Sequence, residues 1–161
     1  MTDHPFTAQV IIASTRAADG TYEDRTGPIL TDWLTALGWT VPERVIVPDG
    51  PEVGEQIGRA LQAGADVIIT SGGTGISPSD VTPEQTAPYL ERQLPGIPEA
   101  IRHRGLDNTP LAAISRGLAG LNGRTLIVNL PGSRGGVRDG MVVLEPMLAH
   151  LMEQRDGGGH E

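Results

Sequence analysis

Three short stretches of this sequence combine residue types that handle phosphate and metal ions. The first is Thr70-Ser71-Gly72-Gly73-Thr74-Gly75, which follows the apolar run Val67-Ile68-Ile69. Glycines let a backbone approach an anion, and Ser and Thr hydroxyls add donors. No Gly-Lys-Ser/Thr follows, so this is not a Walker A loop, and Gly-Gly-x-Gly is not the dinucleotide spacing. Ser71 is not a nucleophile elbow, because Ile69 stands where that motif has Gly. An ordinary strand-to-helix turn would use the same residues. The second stretch is a pair of acids: Asp49 in Pro48-Asp-Gly-Pro51, and Asp80 in Ser77-Pro-Ser-Asp-Val-Thr-Pro83. Two carboxylates on one sheet edge suit Mg²⁺, which takes oxygen ligands and substrate phosphates. The plainer readings are a turn former at Asp49 and a helix N-cap at Asp80. The third is Asn129-Leu-Pro131-Gly132-Ser133, ahead of a helix start whose free N–H groups and dipole favour an anion. Arg134 and Arg138 follow it, and a Pro-Gly turn with solvated arginines accounts for it equally well. His4, His103, His150 and His160 have no metal-ligand spacing and read as surface or capping residues.

The elements that would carry these stretches follow from periodicity. Ala8–Ala13, Val45–Val47 and Val67–Ile69 are short β-branched runs that read as buried strands. A polar loop is expected over Ala17–Arg25. Ile29, Leu30, Trp33, Leu34 and Leu37 recur at helical spacing behind Pro28, and Val53, Ile57, Ala60 and Leu61 give a second amphipathic helix ended by Gly64. Strand, helix, strand, helix, strand implies a parallel sheet with helices on both faces. Further on, Pro83–Leu90 and Pro98–Arg104 read as short helices. Asn122-Gly123 between Ile114–Leu121 and Thr125–Leu130 signals a hairpin, so the sheet is expected to be mixed. A last helix is read over Met141–Gln154, with Pro146 near its start or at a kink. Residues 1–154 read as one domain, and 155–161, with three consecutive glycines, as a disordered tail.

Composition excludes several chemistries. All 12 basic residues are arginine, so a lysine Schiff base or P-loop lysine is impossible, and the absence of cysteine removes thiolate metal sites, disulfides and cysteine nucleophiles. Aromatics make up 3% of residues, so the core must be aliphatic. A formal charge of −8 disfavours nucleic acid as a partner. No apolar run reaches the ~20 residues of a membrane span. Met1-Thr-Asp-His-Pro has no apolar h-region, so a cytoplasmic location is expected.

Taken together and in order, Thr70–Gly75, Asp80-Val-Thr-Pro-Glu84, Pro95-Gly-Ile-Pro-Glu-Ala-Ile-Arg102, Ser115-Arg116 and Asn129–Ser133 resemble the molybdenum cofactor biosynthesis proteins of the MoaB/Mog type, the molybdopterin adenylyltransferases. The resemblance covers roughly residues 7–154. It implies a three-layer α/β/α domain with a mostly parallel mixed sheet, assembled as a homotrimer. It implies Mg-ATP-dependent adenylylation of molybdopterin with release of pyrophosphate, and a molybdenum-insertion enzyme as downstream partner. Carried over by position, Asp49 and Asp80 would be catalytic and hold Mg²⁺. The glycine-rich loop would cradle phosphate, with Thr70 and Ser71 beside it. Ser115, Asn129, Pro131, Gly132 and Ser133 would form the pterin pocket, with Arg116 and Arg134 as anion contacts. Ser14 and Glu99 would lie on the nucleotide side. Thr15 departs from the family, where many members have an acid. The alternative is a non-catalytic molybdopterin carrier, which would use the same loops without needing Asp80. A nucleotide pyrophosphate hydrolase is a third reading, and no histidine is placed to activate its water.

The charge divides unevenly. Residues 1–80 carry 4 Arg and 11 acids, while residues 81–161 carry 8 Arg and 9 acids. This predicts metal and nucleotide on a side built from the first half, and an anionic pterin on a side built from the second.

Overall fold

The computed structural model describes residues 5–157. The chain runs β1 (Ala8–Ala13), α1 (Thr15–Ala18), α2 (Gly27–Ala36), β2 (Val45–Val47), α3 (Pro51–Gln62), β3 (Val67–Ser71), α4 (Thr82–Thr86), β4 (Arg92–Gln93), α5 (Gly96–Gly105), β5 (Ala119–Asn122), β6 (Thr125–Leu130) and α6 (Arg134–Arg155). The strands form one sheet in the order β2-β1-β3-β6-β5-β4. β1, β2, β3 and β6 are parallel, and β5 pairs antiparallel with both β6 and β4.

The apolar strands are continuous because helices cover both of their faces. Alternate residues divide between two cores. Val10, Ile12, Val67, Ile69, Val128 and Leu130 pack under α2, α5 and α6. Ile11, Ala13, Ile68 and Ile127 pack under α3. The result is the three-layer α/β/α sandwich expected from the sequence. Trp33 is the main aromatic in the larger core, and its indole N–H donates to Glu145 Oε1 at 3.0 Å. That bond keeps a polar atom satisfied on an otherwise apolar side chain.

Strand order places the site. From β1 the chain crosses to β2 on one side and later to β3 on the other, so the β1/β3 seam is a switch point. In open α/β sheets ligands bind there, beyond the carboxyl ends of the strands. The loops after β1, β2, β3 and β6 all emerge at this edge.

Several elements differ from their sequence reading. The polar loop over Ala17–Arg25 begins inside a helical turn, α1, because the Ser14 side chain accepts from Ala17 N at 3.2 Å and caps it. The hairpin is present, but its first strand starts at Ala119. Residues Pro110–Ile114 form a 3-10 turn instead, capped by Thr109. The edge strand β4 was not read, because two exposed residues carry no periodicity. The last helix begins at Arg134 and includes the glycine-rich Arg134–Gly140, with Pro146 in its interior. Packing overrides propensity here: a Cβ on Gly140 would lie 2.5 Å from Leu130 Cδ2, so small residues let α6 settle on β6. Pro146 and Val142, whose carbonyl Pro146 leaves unpaired, are both exposed. The sequence reading starts the tail at Arg155. Arg155 ends α6, its guanidinium donates to Asp66 at 2.7 Å and to the Arg124 carbonyl at 2.7 Å, and residues 158–161 lie outside the described residues. Among the described residues no helix is long and apolar enough to cross a membrane.

Ile69 is fully buried at the centre of the larger core. Ile69→Ala is expected to cost about 2–5 kcal/mol, read from the urea unfolding midpoint at unchanged m-value.

Candidate functional site

The β3 exit sets the geometry. Gly72 and Gly73 have φ of +102° and +68°, a region open to glycine. A Cβ on Gly72 would lie 2.2 Å from the Ala13 carbonyl oxygen, so this loop passes directly over the end of β1. On the other side, a Cβ on Gly132 would lie 3.3 Å from Gly72 Cα, which brings the β6 loop against it. Ser71 Oγ ties these loops together. It donates to the Pro131 carbonyl at 2.9 Å and lies 2.9 Å from Thr26 Oγ1. Its single proton is used on Pro131, so Thr26 is the donor in the second bond.

Two cavities flank this loop. The first, about 730 Å³, is lined by the β1 exit (Ser14, Thr15, Arg16), by Asp49, by Gly72-Gly73, and by Ser133 and Arg134. Tyr22, Glu23, Asp24 and Arg25 complete its wall. The second, about 590 Å³, has largely aliphatic walls from Pro98, Ile101, Leu111, Ala112 and Ile114, with Arg102, Ser115, Asn129 and Asp139 among its polar groups. Gly73, Asp80, Gly132 and Ser133 line both cavities, so ligands in the two would meet across these residues.

Both expected acids face the glycine loop. A Cβ on Gly73 would lie 3.1 Å from Asp49 Oδ1, and one on Gly75 would lie 2.8 Å from Asp80 Oδ2. Asp80 is not a helix N-cap; its Oδ2 accepts from Ser77 N at 3.0 Å, and α4 starts only at Thr82. Thr15 engages Asp49 twice. Its amide and its hydroxyl each donate to Asp49 Oδ2 at 3.3 Å, and Asp49 N donates back to Thr15 Oγ1 at 3.2 Å. An acid at position 15 would set a second carboxylate against Asp49, whereas threonine donates to it. Thr82 Oγ1 is buried without a hydrogen-bond partner, 2.2 Å from where a Gly73 Cβ would stand. Buried polar atoms are seldom left orphaned. Asp49 and Asp80 both line the first cavity and offer carboxylate oxygens, the chemistry that suits a hard divalent cation, whereas Thr82 lines neither cavity. Among the described residues no group of three or more His, Asp or Glu side chains could hold a metal by itself, so a cation here needs ligand oxygens as well.

The other expected site residues are placed as follows. Ser133 caps α6, accepting from Gly136 N at 3.1 Å, which leaves the Arg134 and Gly135 amides at a helix start free for an anion. Asn129 is buried and donates to Thr70 Oγ1 at 2.9 Å and Thr86 Oγ1 at 3.0 Å, while its Oδ1 accepts from Leu118 N at 3.1 Å. Thr70 is thereby engaged inside the sheet and lines neither cavity. Arg116 also lines neither. Its guanidinium donates to the Gly75 carbonyl at 2.8 Å and the Asp80 carbonyl at 2.7 Å, and it pairs with Glu84. Arg116 clamps the loop that carries Asp80. Glu99 is exposed on α5 and lies on neither wall.

The division of charge along the sequence does not become two sides of the site. Arg134, from the second half, shares the first cavity with Asp49 and Asp80, as do Arg16 and Arg25 from the first half. Parallel strands bring the β1 and β6 loops to one edge regardless of which half they come from. Sequence reading missed the stretch Tyr22–Thr26 altogether. Its signal was Asp24, which is buried: it pairs with Arg44 at 2.5 Å and accepts from the amides of Thr26 and Gly27 at the start of α2.

Two cavities meeting at a glycine loop on the switch point make this an α/β domain with adjoining cavities at the edge where such sheets bind ligands. Comparison gives the family. The model described as "Probable molybdopterin binding domain" matches residues 9–150, and the chain belongs to that family. The molybdopterin biosynthesis Mog protein from Mycobacterium ulcerans has a closely similar structure, with a TM-score of 0.90 at 53% identity over 93% of this chain and 99% of that one. A molybdopterin adenylyltransferase of Pyrococcus furiosus is 32% identical over 149 residues, 89% of this chain and 88% of that protein. The molybdenum cofactor biosynthesis bifunctional protein of Chlorobaculum tepidum is 37% identical over 158 residues; the match takes in 98% of this chain and 50% of that protein, so the chain spans about half its length.

The Glu84 carboxyl is held below its ordinary value, chiefly by the hydrogen bond from Arg116. A depressed carboxyl adds stability above its unfolded value, near 4.5, which is lost as pH falls through the lower folded value. Both side chains are substantially exposed, so the pair is worth under about 1 kcal/mol. Unfolding midpoints of wild type and Glu84→Gln should differ slightly at pH 6–7 and converge as pH falls well below 4.5.

Proposed function

We propose that this protein adenylylates molybdopterin with Mg-ATP. One observation carries the reading: an arginine- and carboxylate-lined cavity and an aliphatic cavity share Gly73, Asp80, Gly132 and Ser133. The aliphatic cavity suits a flat heterocycle, with Ser115 as a polar contact, while the Asn129 side chain is bonded within the protein. The Ser133 turn at its rim suits the terminal phosphate of the pterin. The charged cavity suits ATP.

In the reaction a terminal phosphate oxygen of molybdopterin forms a bond to the α-phosphorus of ATP. The bond from that phosphorus to the β-bridging oxygen breaks, and pyrophosphate leaves with the electron pair. No protein nucleophile is required; positioning and offset of charge supply the rate. That agrees with a chain lacking Cys and Lys. Asp49 and Asp80 would hold Mg²⁺, which when bound offsets the repulsion between the two phosphates. Thr15 would hold the Asp49 carboxylate in place. Arg116 would fix the Asp80 loop by its carbonyl contacts. The relatives' names support the class of reaction, and the resemblance supports a homotrimer in the cytoplasm that passes its product to a molybdenum-insertion enzyme.

The test is a product assay with purified protein, molybdopterin, ATP and Mg²⁺. Adenylylated molybdopterin and pyrophosphate should form, and chelating Mg²⁺ should abolish both. Tight pterin binding without product would leave a carrier in place of an enzyme. Asp49→Asn and Asp80→Asn should each lower turnover by about 100-fold or more with unchanged thermal melting. Thr15→Val should lower turnover about threefold to tenfold, the scale of one net hydrogen bond, and Thr15→Ser should restore it.

A further inference from the structure

The wall of the first cavity away from the shared residues carries a cationic cluster that the reading above leaves unused. The guanidinium carbons of Arg16 and Arg25 both lie 5.3 Å from the centroid of the Tyr22 ring. Cation–π attraction holds each on the ring face. Two like charges are thus gathered on one side chain, and among the described residues neither has an ion-pair partner. The nearby acids are committed elsewhere. Asp24 pairs with Arg44, and Asp19, which feels the Arg16 charge without forming an ion pair with it, accepts from the Thr21 hydroxyl at 2.7 Å and the Thr21 amide at 2.9 Å. Glu23 lines the same wall and pairs with neither arginine. Arginine forks match phosphate oxygens two at a time, so an unpaired pair of them on a cavity wall suits a polyphosphate.

Their position says which phosphates. The attacking and leaving oxygens of a phosphoryl transfer lie roughly in line. If the pterin phosphate attacks from the second cavity across Gly73, Asp80, Gly132 and Ser133, the leaving group points the opposite way. That direction is the part of the first cavity that the second does not share, where Arg16, Tyr22 and Arg25 stand. We infer that Arg16 and Arg25, organised by Tyr22, form the clamp for the leaving pyrophosphate, the β- and γ-phosphates of ATP. The clamp rests on the adenylyl-transfer reading for its direction, and on the unpaired arginines for its ligand.

Calorimetry on the full chain tests it with two probes, Mg-pyrophosphate and AMP, alongside the product assay. Arg16→Ala and Arg25→Ala should each weaken Mg-pyrophosphate about tenfold and change AMP affinity less than twofold. Both arginines are exposed, so melting temperature should not move. Tyr22→Leu, which frees the two guanidiniums, should weaken pyrophosphate as well, and Tyr22→Phe, which keeps the ring face, should not. Turnover should fall in parallel with pyrophosphate affinity. Pyrophosphate binding that is undetectable in the wild type or indifferent to all three variants overturns the clamp. So does an equal loss of AMP, which would assign the cluster to the nucleoside. A wild type that makes product while pyrophosphate ignores the arginines removes the clamp and leaves the transfer standing. Arginine-dependent pyrophosphate binding with no product removes the transfer and leaves the clamp.

Discussion

The buried hydroxyl of Ser71 is the point on which the site depends. It joins the end of β3 to the β6 loop through Pro131 and to the start of α2 through Thr26. Each bond satisfies a polar atom that would otherwise be buried unpaired, at a cost of about 1–3 kcal/mol. Gly72 adds the steric half of the same constraint, since no side chain fits between it and the Ala13 carbonyl. With these loops pinned, the two cavities are forced to share a rim. A looser junction would leave two separate pockets on one sheet edge.

Around that junction the polar residues divide into those that build the site and those that face it. Asn129 and Thr70 hold β6, β3 and α4 together, while Arg116 ties the Asp80 loop to its own carbonyls. Their hydrogen-bonding capacity is largely spent within the protein. Asp49, Asp80, Ser133, Arg16 and Arg25 keep free capacity toward the cavities. A buried Thr82 hydroxyl without a partner sits beside Gly73, which Asp49 Oδ1 also approaches. This separation lets a chain with a charge of −8 accept anionic ligands: Arg16, Arg25 and Arg134 line the first cavity, while acids such as Asp24 and Asp66 are turned to arginine partners.

Much of the fold was legible in the sequence because the β-branched runs and helical spacings were strong. β1, β2, β3 and β6 fall where periodicity placed them, and so does the Asn122-Gly123 hairpin turn. Two of the misreadings, the start of α6 and the edge strand β4, come from tertiary contacts. The first turns of α6 are rich in glycine, a poor helix former, yet close approach to Leu130 favours small residues there. Only packing reveals that. β4 is two exposed residues whose identity as a strand lies entirely in its partner β5.

For the site, residue types alone gave the glycine loop, the two acids and the Pro-Gly-Ser turn, because each carries its chemistry in its composition. The sequence also settled what is absent: without Cys or Lys, covalent routes through either residue are closed. Which of these residues face a ligand was decided by tertiary structure. Arg116 and Thr70 look like binding residues in the sequence and are turned inward by hydrogen bonds to distant backbone and side chains. The Tyr22–Thr26 stretch looks like an ordinary loop and becomes a cavity wall, because Asp24 is anchored to Arg44. A sequence states which groups are available. Whether a group's hydrogen bonds and charge are spent inside the protein or kept for a ligand depends on which other groups the fold brings within about 3 Å of it.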